Sequence, residues 1–341
     1  MSCASFPLGV FGEVRVMIYD TGNKAPGDSF VPLLCGGFPT SNGCAMNDGI
    51  SIRPLTDYSE FLQVETLQKL AWKMTDDRDV VPAHILRPMV EHGGVLLGAF
   101  NDRAEIVGFV FGFIGKAEDE RAQWMRSPYI MCSEMMGILP EYRSRSVGYR
   151  LKLAQREYSL AQGFRLMIWT YDPLLSLNAN LNINKLGCIV RHYVEDAYGQ
   201  LSGMYAGLPT DRFSVEWWLD SPRVKDRLAG PGGSPELEAW LSQGIRIANP
   251  ASTGSDGLPR PGQINLPSGA SQFIIEFPAD FQAVKEADFG LAQAWRAHTR
   301  TVFERVFAEG YVVSALARGS ADRRTSSFYL LTNQLDIQSM A

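Results

Sequence analysis

One short segment of the chain combines side chains that could hold a phosphorylated ligand next to a proton acceptor. Glu134 lies within the apolar run Ile130–Leu139, and Arg143, Arg145 and Gly148 follow closely. A carboxylate can accept a proton, and arginines beside a helix start can bind an anion. The segment therefore predicts a strand, a basic turn and a helix that position these groups.

Glu134 is the candidate proton acceptor. Strand alternation predicts that it shares a face with four other residues: Ile130, Cys132, Met136 and Ile138. Apolar neighbours remove water from a carboxylate and raise its pKa, which would make Glu134 a general base near neutral pH. The alternative interpretation is that Glu134 points outward from an edge strand or pairs with an arginine.

The residues after this strand predict an anion-binding turn. An apolar stripe at helical spacing starts at Val147 and comprises Val147, Leu151, Ala154, Tyr158 and Ala161, and Gly163 is suited to the helix end. The turn would present free backbone N–H groups, the helix dipole and two arginines to a pyrophosphate. A solvated basic helix start is the alternative interpretation.

The elements that follow continue an alternating pattern. Residues Phe164–Tyr171 are apolar on both faces, which is typical of a central strand, and Asp172-Pro173 ends it. A helix is predicted over Leu175–Leu186 and a further strand over Cys188–Tyr193. These segments thus predict a strand, a helix and a further strand after the turn.

The run Gly137–Leu151 resembles the acyl-coenzyme A signature of the GNAT superfamily, the Gcn5-related N-acyltransferases. Arg143, Ser146 and Gly148 match its fixed positions in order, although Ser146 stands where the family usually has glycine. The resemblance extends over roughly Ile50–Leu219. It implies an α/β (α+β) fold with a mixed, mostly antiparallel sheet flanked by helices, to which this chain adds a small C-terminal α+β region.

The resemblance also implies which residues meet the cosubstrate, an acyl-CoA such as acetyl-CoA or succinyl-CoA. These are Ile138, Leu139, Arg143, Ser144, Arg145, Ser146, Val147, Gly148, Tyr149 and Asn178. Glu134 would take the proton of the attacking amine through water, and a backbone N–H near Ile138 would polarise the thioester carbonyl.

The acid that protonates the leaving thiolate is not assigned by the resemblance. The position at which the family often has a tyrosine is Ile183 in this chain. Tyr171, Tyr193 and Tyr198 are the candidates, and Tyr193 is taken as the second catalytic residue. Ordinary packing is the alternative role for all three.

The expected function is N-acyl transfer from acyl-CoA to the amino group of a small metabolite, such as an amino acid. Further similarity to a long bacterial subgroup rests on Leu151–Glu157, Trp169–Leu174 and Tyr198-Gly199. Members of that subgroup are thought to acylate amino acids, including by succinyl transfer. The alternatives are a protein-lysine acyltransferase and a non-catalytic acyl-CoA sensor.

Composition limits the classes of partner. A net charge of -5 and a pI near 5.5 argue against general nucleic-acid binding, and no apolar run approaches a membrane span of ~20 residues. The five cysteines and four histidines show no metal-ligand spacing, so no metal is expected, and the cysteines fit a cytoplasmic protein. The acyl donor, the amine acceptor and the oligomeric state stay open, with a homodimer as one option.

Composition along the chain also predicts four regions. Residues 1–45 are rich in glycine and proline and are expected to be a poorly ordered extension, with a small appended hairpin as the alternative, and residues 46–228 form the GNAT-like domain. Residues 229–269 are dominated by Gly, Pro, Ser and Asn, which is typical of a linker. Residues 270–341 predict a strand-helix-strand region that packs on the first domain or on a partner.

Overall fold

A computed structural model of the chain describes residues 49–143, 145–199, 207–230, 235–319 and 325–341. The predicted extension over residues 1–45 and the site residue Ser144 lie outside these ranges. The chain divides into two units between Ala45 and Met46, and every described residue belongs to the second, Met46–Ala341.

Twelve strands occur in the described residues. They are β1 (Ser51–Pro54), β2 (Val95–Phe100), β3 (Ile106–Lys116), β4 (Tyr129–Ile138), β5 (Leu166–Tyr171), β6 (Ile189–Val194), β7 (Arg212–Trp218), β8 (Ser252–Thr253), β9 (Pro259–Arg260), β10 (Gln272–Pro278), β11 (Val312–Arg318) and β12 (Ser326–Thr332). Ten of them form one sheet in the order β1-β2-β3-β4-β5-β7-β6-β11-β12-β10.

Nine α-helices flank this sheet in the described residues. They are α1 (Tyr58–Trp72), α2 (Ala83–Glu91), α3 (Glu120–Met125), α4 (Val147–Ala161), α5 (Ser176–Ala179), α6 (Pro222–Ala229), α7 (Leu237–Ser242), α8 (Phe281–Ala287) and α9 (Phe289–Ala308). The sheet is antiparallel except where β4 and β5 pair in parallel. The predicted mixed, mostly antiparallel α/β architecture is confirmed.

The segment predicted as one helix over Leu175–Leu186 is a short α-helix followed by a wider π-helix, Asn180–Lys185. Asn184 explains part of this difference because its side chain forms hydrogen bonds with the backbone of the sheet. Its amide donates to the carbonyl oxygen of Leu316 at 2.9 Å and accepts from the backbone N–H of Leu316 at 3.2 Å. A π-helical turn thus places a buried polar side chain against β11.

The C-terminal elements continue the same sheet. Strand β11 pairs with β6 at Val313 and Val190, and β12 lies between β11 and β10. Helix α9 begins after Asp288, whose carboxylate accepts from the backbone N–H of Leu291 at 2.9 Å, as expected of an N-cap. Segment 235–269 contains α7 and the β8–β9 hairpin, and Trp240 of α7 is buried.

Helix α4 packs on the sheet with its predicted apolar stripe at one side of the contact. Val147 and Leu151 are buried, Ala154 and Tyr158 are half-buried and pack against the core, and Ala161 is exposed. The other buried positions are Gly148, Lys152, Gln155 and Ser159. Three of these are polar, which apolar periodicity does not predict.

Candidate active site

A β-bulge on β4 positions Glu134. Ser133 pairs with Gly112 of β3 and Met135 pairs with Phe111, so Glu134 between them is an extra residue without a partner of its own. A bulge of this kind bends the strand and redirects the side chain.

The bulge overturns the predicted set of residues that share a face with Glu134. Ser133 contacts α4 through a hydrogen bond to Gln155, and the side chain of Met136 packs against Gly148 of α4. Cys132 and Glu134 lie on the opposite face, and the charge of Glu134 helps raise the pKa of the Cys132 thiol. Alternation is therefore interrupted, and Met136 and Ile138 belong to the α4 face, away from Glu134.

Glu134 is exposed, which agrees with the outward orientation considered from sequence, although β4 is an interior strand of the sheet. Partial burial by neighbouring protein raises the pKa of Glu134 above its ordinary value. Within the described ranges, no hydrogen bond or ion pair holds its carboxylate, so the arginine pairing considered from sequence is not found there. A carboxylate with a raised pKa and free oxygens can accept a proton.

An opening between β4 and β5 lies next to Glu134. The two strands pair only at Met131 with Met167 and at Cys132 with Ile168, although β4 continues to Ile138 and β5 to Tyr171. Its walls are half-buried and comprise Met135, Met136 and Ile138 on β4 and Trp169 and Thr170 on β5. An extended ligand could lie between the separated strands, and sequence periodicity contains no signal for this feature.

The backbone of Ile138 points into this opening. Leu139 donates its N–H to Val107 of β3, and the carbonyl of Ile138 accepts instead from the Arg143 side chain at 3.3 Å, away from β3. Because backbone polar groups alternate sides along a strand, the N–H of Ile138 also faces away from β3. It is therefore placed to polarise a carbonyl in the opening, as the sequence interpretation requires.

The residue just before α4 has the backbone geometry expected where an anion-binding loop enters a helix. Ser146 adopts φ +58°, the left-handed region in which glycine is favoured, and the helix begins at Val147. A Cβ on Gly148 would lie 3.1 Å from Cδ1 of Ile138, so this glycine lets α4 approach β4 closely. The first N–H groups of α4 consequently lie at the Ile138 end of the opening.

The two arginines of the turn have different surroundings. Arg143 donates to the carbonyl oxygens of Ala71 and Ile138 and thereby ties α1 to β4. Arg145 lies above the ring of Tyr142, with 5.1 Å between its guanidinium carbon and the ring centroid. The N–H groups of Arg145 are thus more available to an anion than those of Arg143, which donate to backbone carbonyls.

The other predicted cofactor contacts differ in exposure. Leu139 and Tyr149 are half-buried, Val147 belongs to the hydrophobic core, and Asn178 is exposed on α5. The structure brings the β4 and α4 residues together, while Asn178 lies on a separate helix that follows β5 in the chain.

Tyr193 is not brought together with Glu134. It lies on β6, and β5 and β7 separate that strand from β4, a distance of ~14 Å at the usual strand spacing. Its hydroxyl donates to Oδ2 of Asp211 at 2.6 Å, and its ring stacks on Phe303 of α9. Burial and Asp211 raise the pKa of Tyr193, so its proton is held firmly.

The other two candidate tyrosines differ in position. Tyr171 is buried and its hydroxyl lies 3.3 Å from that of Tyr329. Tyr198 is exposed, and its hydroxyl lies 2.8 Å from Oγ1 of Thr170 on the β5 wall of the opening. Of the three, Tyr198 is nearest the opening.

A charged cluster that the sequence interpretation missed lies on the Glu134 face of the sheet. Glu216 is fully buried and accepts from Arg121 at 3.4 Å and from Arg191 at 2.8 Å. Nη2 of Arg191 is buried and has no hydrogen-bond partner among the described residues. Alternation in β7, where Arg212, Ser214 and Glu216 share one face, was the available sequence signal.

Arg121 and Glu134 both lie near Cys132. Burial is the main cause of the raised pKa of the Cys132 thiol; the charge of Glu134 raises that pKa further, and the charge of Arg121 lowers it. His192 lies beside the cluster, with its Nε2 4.0 Å from Glu216, and burial and Arg191 lower the pKa of its imidazole. Both arginines are also paired with carboxylates at the start of α3, Arg121 with Asp119 and Arg191 with Glu120, each at 2.7 Å, so the cluster contains three carboxylates for two arginines.

The described residues contain no group of three or more histidine, cysteine, aspartate or glutamate side chains that could hold a metal ion. None of the helices in those same ranges is long and apolar enough to cross a membrane.

No family model matches the sequence, and no curated protein matches it. Among solved structures, the chain is similar to an acetyltransferase of the GNAT family from Streptococcus pneumoniae, with 16% identity, a TM-score of 0.39, and coverage of 49% of this chain and 98% of that one. It is also similar to NAA60 of Arabidopsis thaliana in complex with acetyl-CoA, with 17% identity, a TM-score of 0.38, and coverage of 50% and 99%. A third is Naa50 of Arabidopsis thaliana in complex with a bisubstrate analogue, with 14% identity, a TM-score of 0.37, and coverage of 49% and 97%.

Proposed function

We propose that the protein is an acyl-CoA-dependent N-acyltransferase of the GNAT type that acts on the amino group of a small metabolite, such as an amino acid. The observation that carries this proposal is the opening between β4 and β5 with Glu134 at its bulged edge. It joins a slot for an extended thioester to a proton acceptor.

The β4 wall of the opening suits the pantetheine arm of acyl-CoA. Beyond Cys132 this edge of β4 is not paired with β5, so its backbone N–H and C=O groups can form hydrogen bonds with the amides of an extended ligand. The arm would run past Ile138 and Leu139. The diphosphate would meet the N–H groups of Val147 and Gly148, with Arg145 supplying positive charge.

The chemistry follows from the groups that face the reacting carbonyl. Glu134 accepts the proton of the attacking amine through water, and its raised pKa matches this role near neutral pH. The N–H of Ile138 stabilises negative charge that develops on the carbonyl oxygen. The acyl group then passes directly from sulfur to nitrogen.

The small-metabolite assignment rests on the resemblance of Leu151–Glu157, Trp169–Leu174 and Tyr198-Gly199 to a subgroup thought to acylate amino acids. The arginines on the Glu134 face add no free positive charge to this argument, because Arg121 and Arg191 are paired with Asp119, Glu120 and the buried Glu216.

A screen of acetyl-CoA and succinyl-CoA against a library of amines, read as free thiol release, tests the function. We expect release with amino acids and slower release with the corresponding decarboxylated amines. Release only with lysine-containing peptides would instead indicate a protein-lysine acyltransferase. Binding of CoA without release from any donor would indicate an acyl-CoA sensor.

A further inference from the structure

Lys152 of α4 is a buried cation without a carboxylate partner among the described residues. Its side chain is almost fully buried, with 3% exposed. The ammonium donates to Oγ of Ser133 at 2.7 Å and to Oε1 of Gln155 at 3.2 Å, and it lies 3.6 Å from the centre of the Trp169 ring. All of these neighbours are neutral.

The position of this ammonium relates it to the opening. Ser133 follows Cys132 on β4, and Trp169 follows Ile168 on β5, so the ammonium contacts the first residue of each strand beyond their last pair. Lys152 thus lies where the two strands separate, on the α4 face. Glu134 follows Ser133 and faces the opposite side. Two proton-carrying groups therefore flank the same end of the opening from opposite faces.

The surroundings of Lys152 weaken its hold on a proton. Complete burial lowers its pKa to about 7. Cys188 is the titratable neighbour that opposes this effect, and burial raises the pKa of its thiol, so it stays neutral near pH 7. An ammonium with this acidity can give a proton to a thiolate, whose ordinary pKa is about 8.5.

We propose that Lys152 protonates the coenzyme A thiolate as it leaves, a role that rests on the proposed acyltransferase function. The amine nitrogen forms a bond to the acyl carbon, and the carbon–sulfur bond breaks with its electron pair passing to sulfur. Glu134 takes one proton from the nitrogen, and Lys152 gives one to sulfur. Solvent later returns a proton from Glu134 to Lys152, so the step balances without a further reactant.

The tyrosines are less suited to this role. The hydroxyls of Tyr171 and Tyr193 are engaged by Tyr329 and Asp211, and both have a raised pKa. Tyr198 bonds to Thr170, which is on the Glu134 face, where the amine would approach. Lys152 alone among these groups adjoins the opening from the α4 face.

The test is a pH titration of the thiol of bound CoA, followed by thiolate ultraviolet absorbance in the full-length protein. Desulfo-CoA, which lacks the thiol, supplies the reference spectrum and cancels protein absorbance. Thiolate and ammonium each stabilise the charge of the other, so the thiolate should form while Lys152 keeps its proton, and the pKa of the bound thiol should fall below that of free CoA. Lys152→Met should abolish this lowering, whereas Lys225→Met, at an exposed lysine paired with Asp220, should retain it.

Lys152→Met is expected to fold because methionine replaces an unpaired buried charge and leaves the 2.9 Å bond between Ser133 and Gln155 intact. If it does not, Lys152→Gln provides the same comparison. CoA binding with the same thiol pKa in the wild type and in the Lys152 variant would overturn the role of Lys152 alone. Failure of the wild type to bind CoA would overturn the proposed function and, with it, this role.

Discussion

The β4–β5 region and the C-terminal ladder of β10, β11 and β12 differ in how completely their strands pair. Strands β10 and β12 form seven pairs, and β11 and β12 form six, whereas β4 and β5 form two. The C-terminal ladder buries Phe277 and Tyr329 in stacked contact, with 4.5 Å between ring centres. In the incompletely paired region, Glu134 and Lys152 flank the opening between the strands. The difference suggests that one part of the sheet contributes mainly stability and the other mainly chemistry.

The sharpest test of this division is Glu134→Gln. The substitution keeps the shape of the side chain but removes its ability to accept a proton, so turnover should fall on the order of 10²–10⁴-fold. Because the pKa of Glu134 is raised, kcat/KM of the wild type should begin to fall with decreasing pH at a pH above the ordinary pKa of glutamate. The variant should not show this fall. CoA binding should persist. Glu118→Gln, at an exposed carboxylate, is the control. Wild-type-like turnover in Glu134→Gln would remove the base assignment.

Phe277→Ala tests the other side of the comparison. Phe277 is fully buried, and its truncation should lower the free energy of unfolding by about 3–5 kcal/mol in denaturant titration. Met136→Ala, on the half-buried wall of the opening, should cost only about 1–2 kcal/mol because less apolar area is lost. Equal losses at the two sites would contradict the division between the regions.

Gly148→Glu tests whether the turn before α4 binds the diphosphate. With CoA at a hundredfold excess over Kd, ligand binding should stabilise the wild type by about 2.7 kcal/mol, seen as a rise in Tm. A carboxylate at this helix start should repel the diphosphate and abolish the rise. Gly148→Ala separates size from charge, since its Cβ would meet the movable side-chain ends of Ile138 and Met136. An undiminished rise in the glutamate variant would exclude the turn from CoA binding.

Ser146→Gly has the smallest expected effect. Glycine relieves the left-handed backbone at this position, which should stabilise the protein by about 1 kcal/mol in denaturant titration. Arg126→Gly is a matched control because Arg126 has φ +54° at the end of α3. Both variants should gain stability, and only Ser146→Gly should also alter CoA affinity. A loss of stability in Ser146→Gly would show that the serine side chain outweighs the backbone strain.

The sequence predicts the elements well because periodicity is a local property. The predicted strand Phe164–Tyr171 corresponds to β5, and the predicted strand Cys188–Tyr193 corresponds to β6, each within two residues at its ends. The bulge at Glu134 could not be predicted in this way, because it depends on the register of β4 against β3. The β4–β5 opening likewise depends on pairing between segments that are distant in sequence.

Lys152 shows a second limit of prediction from periodicity. A lysine on an amphipathic helix is normally assigned to the solvent side, since burying a charge is costly. Here Ser133 and Gln155 supply hydrogen bonds from the core side of α4, so the polar position faces inward. Only the three-dimensional arrangement of β4, β5 and α4 reveals that environment.

The arrangement of the C-terminal strands also bears on self-association. Without β11, strand β6 would be an open edge able to recruit a strand from another molecule. The β10 edge is engaged in turn, because Ile274 exchanges backbone hydrogen bonds with Arg246 and Ala248. The β1 edge is only four residues long and ends in Pro54. Within the described ranges, both ends of the sheet therefore offer little open strand edge for pairing with a second molecule.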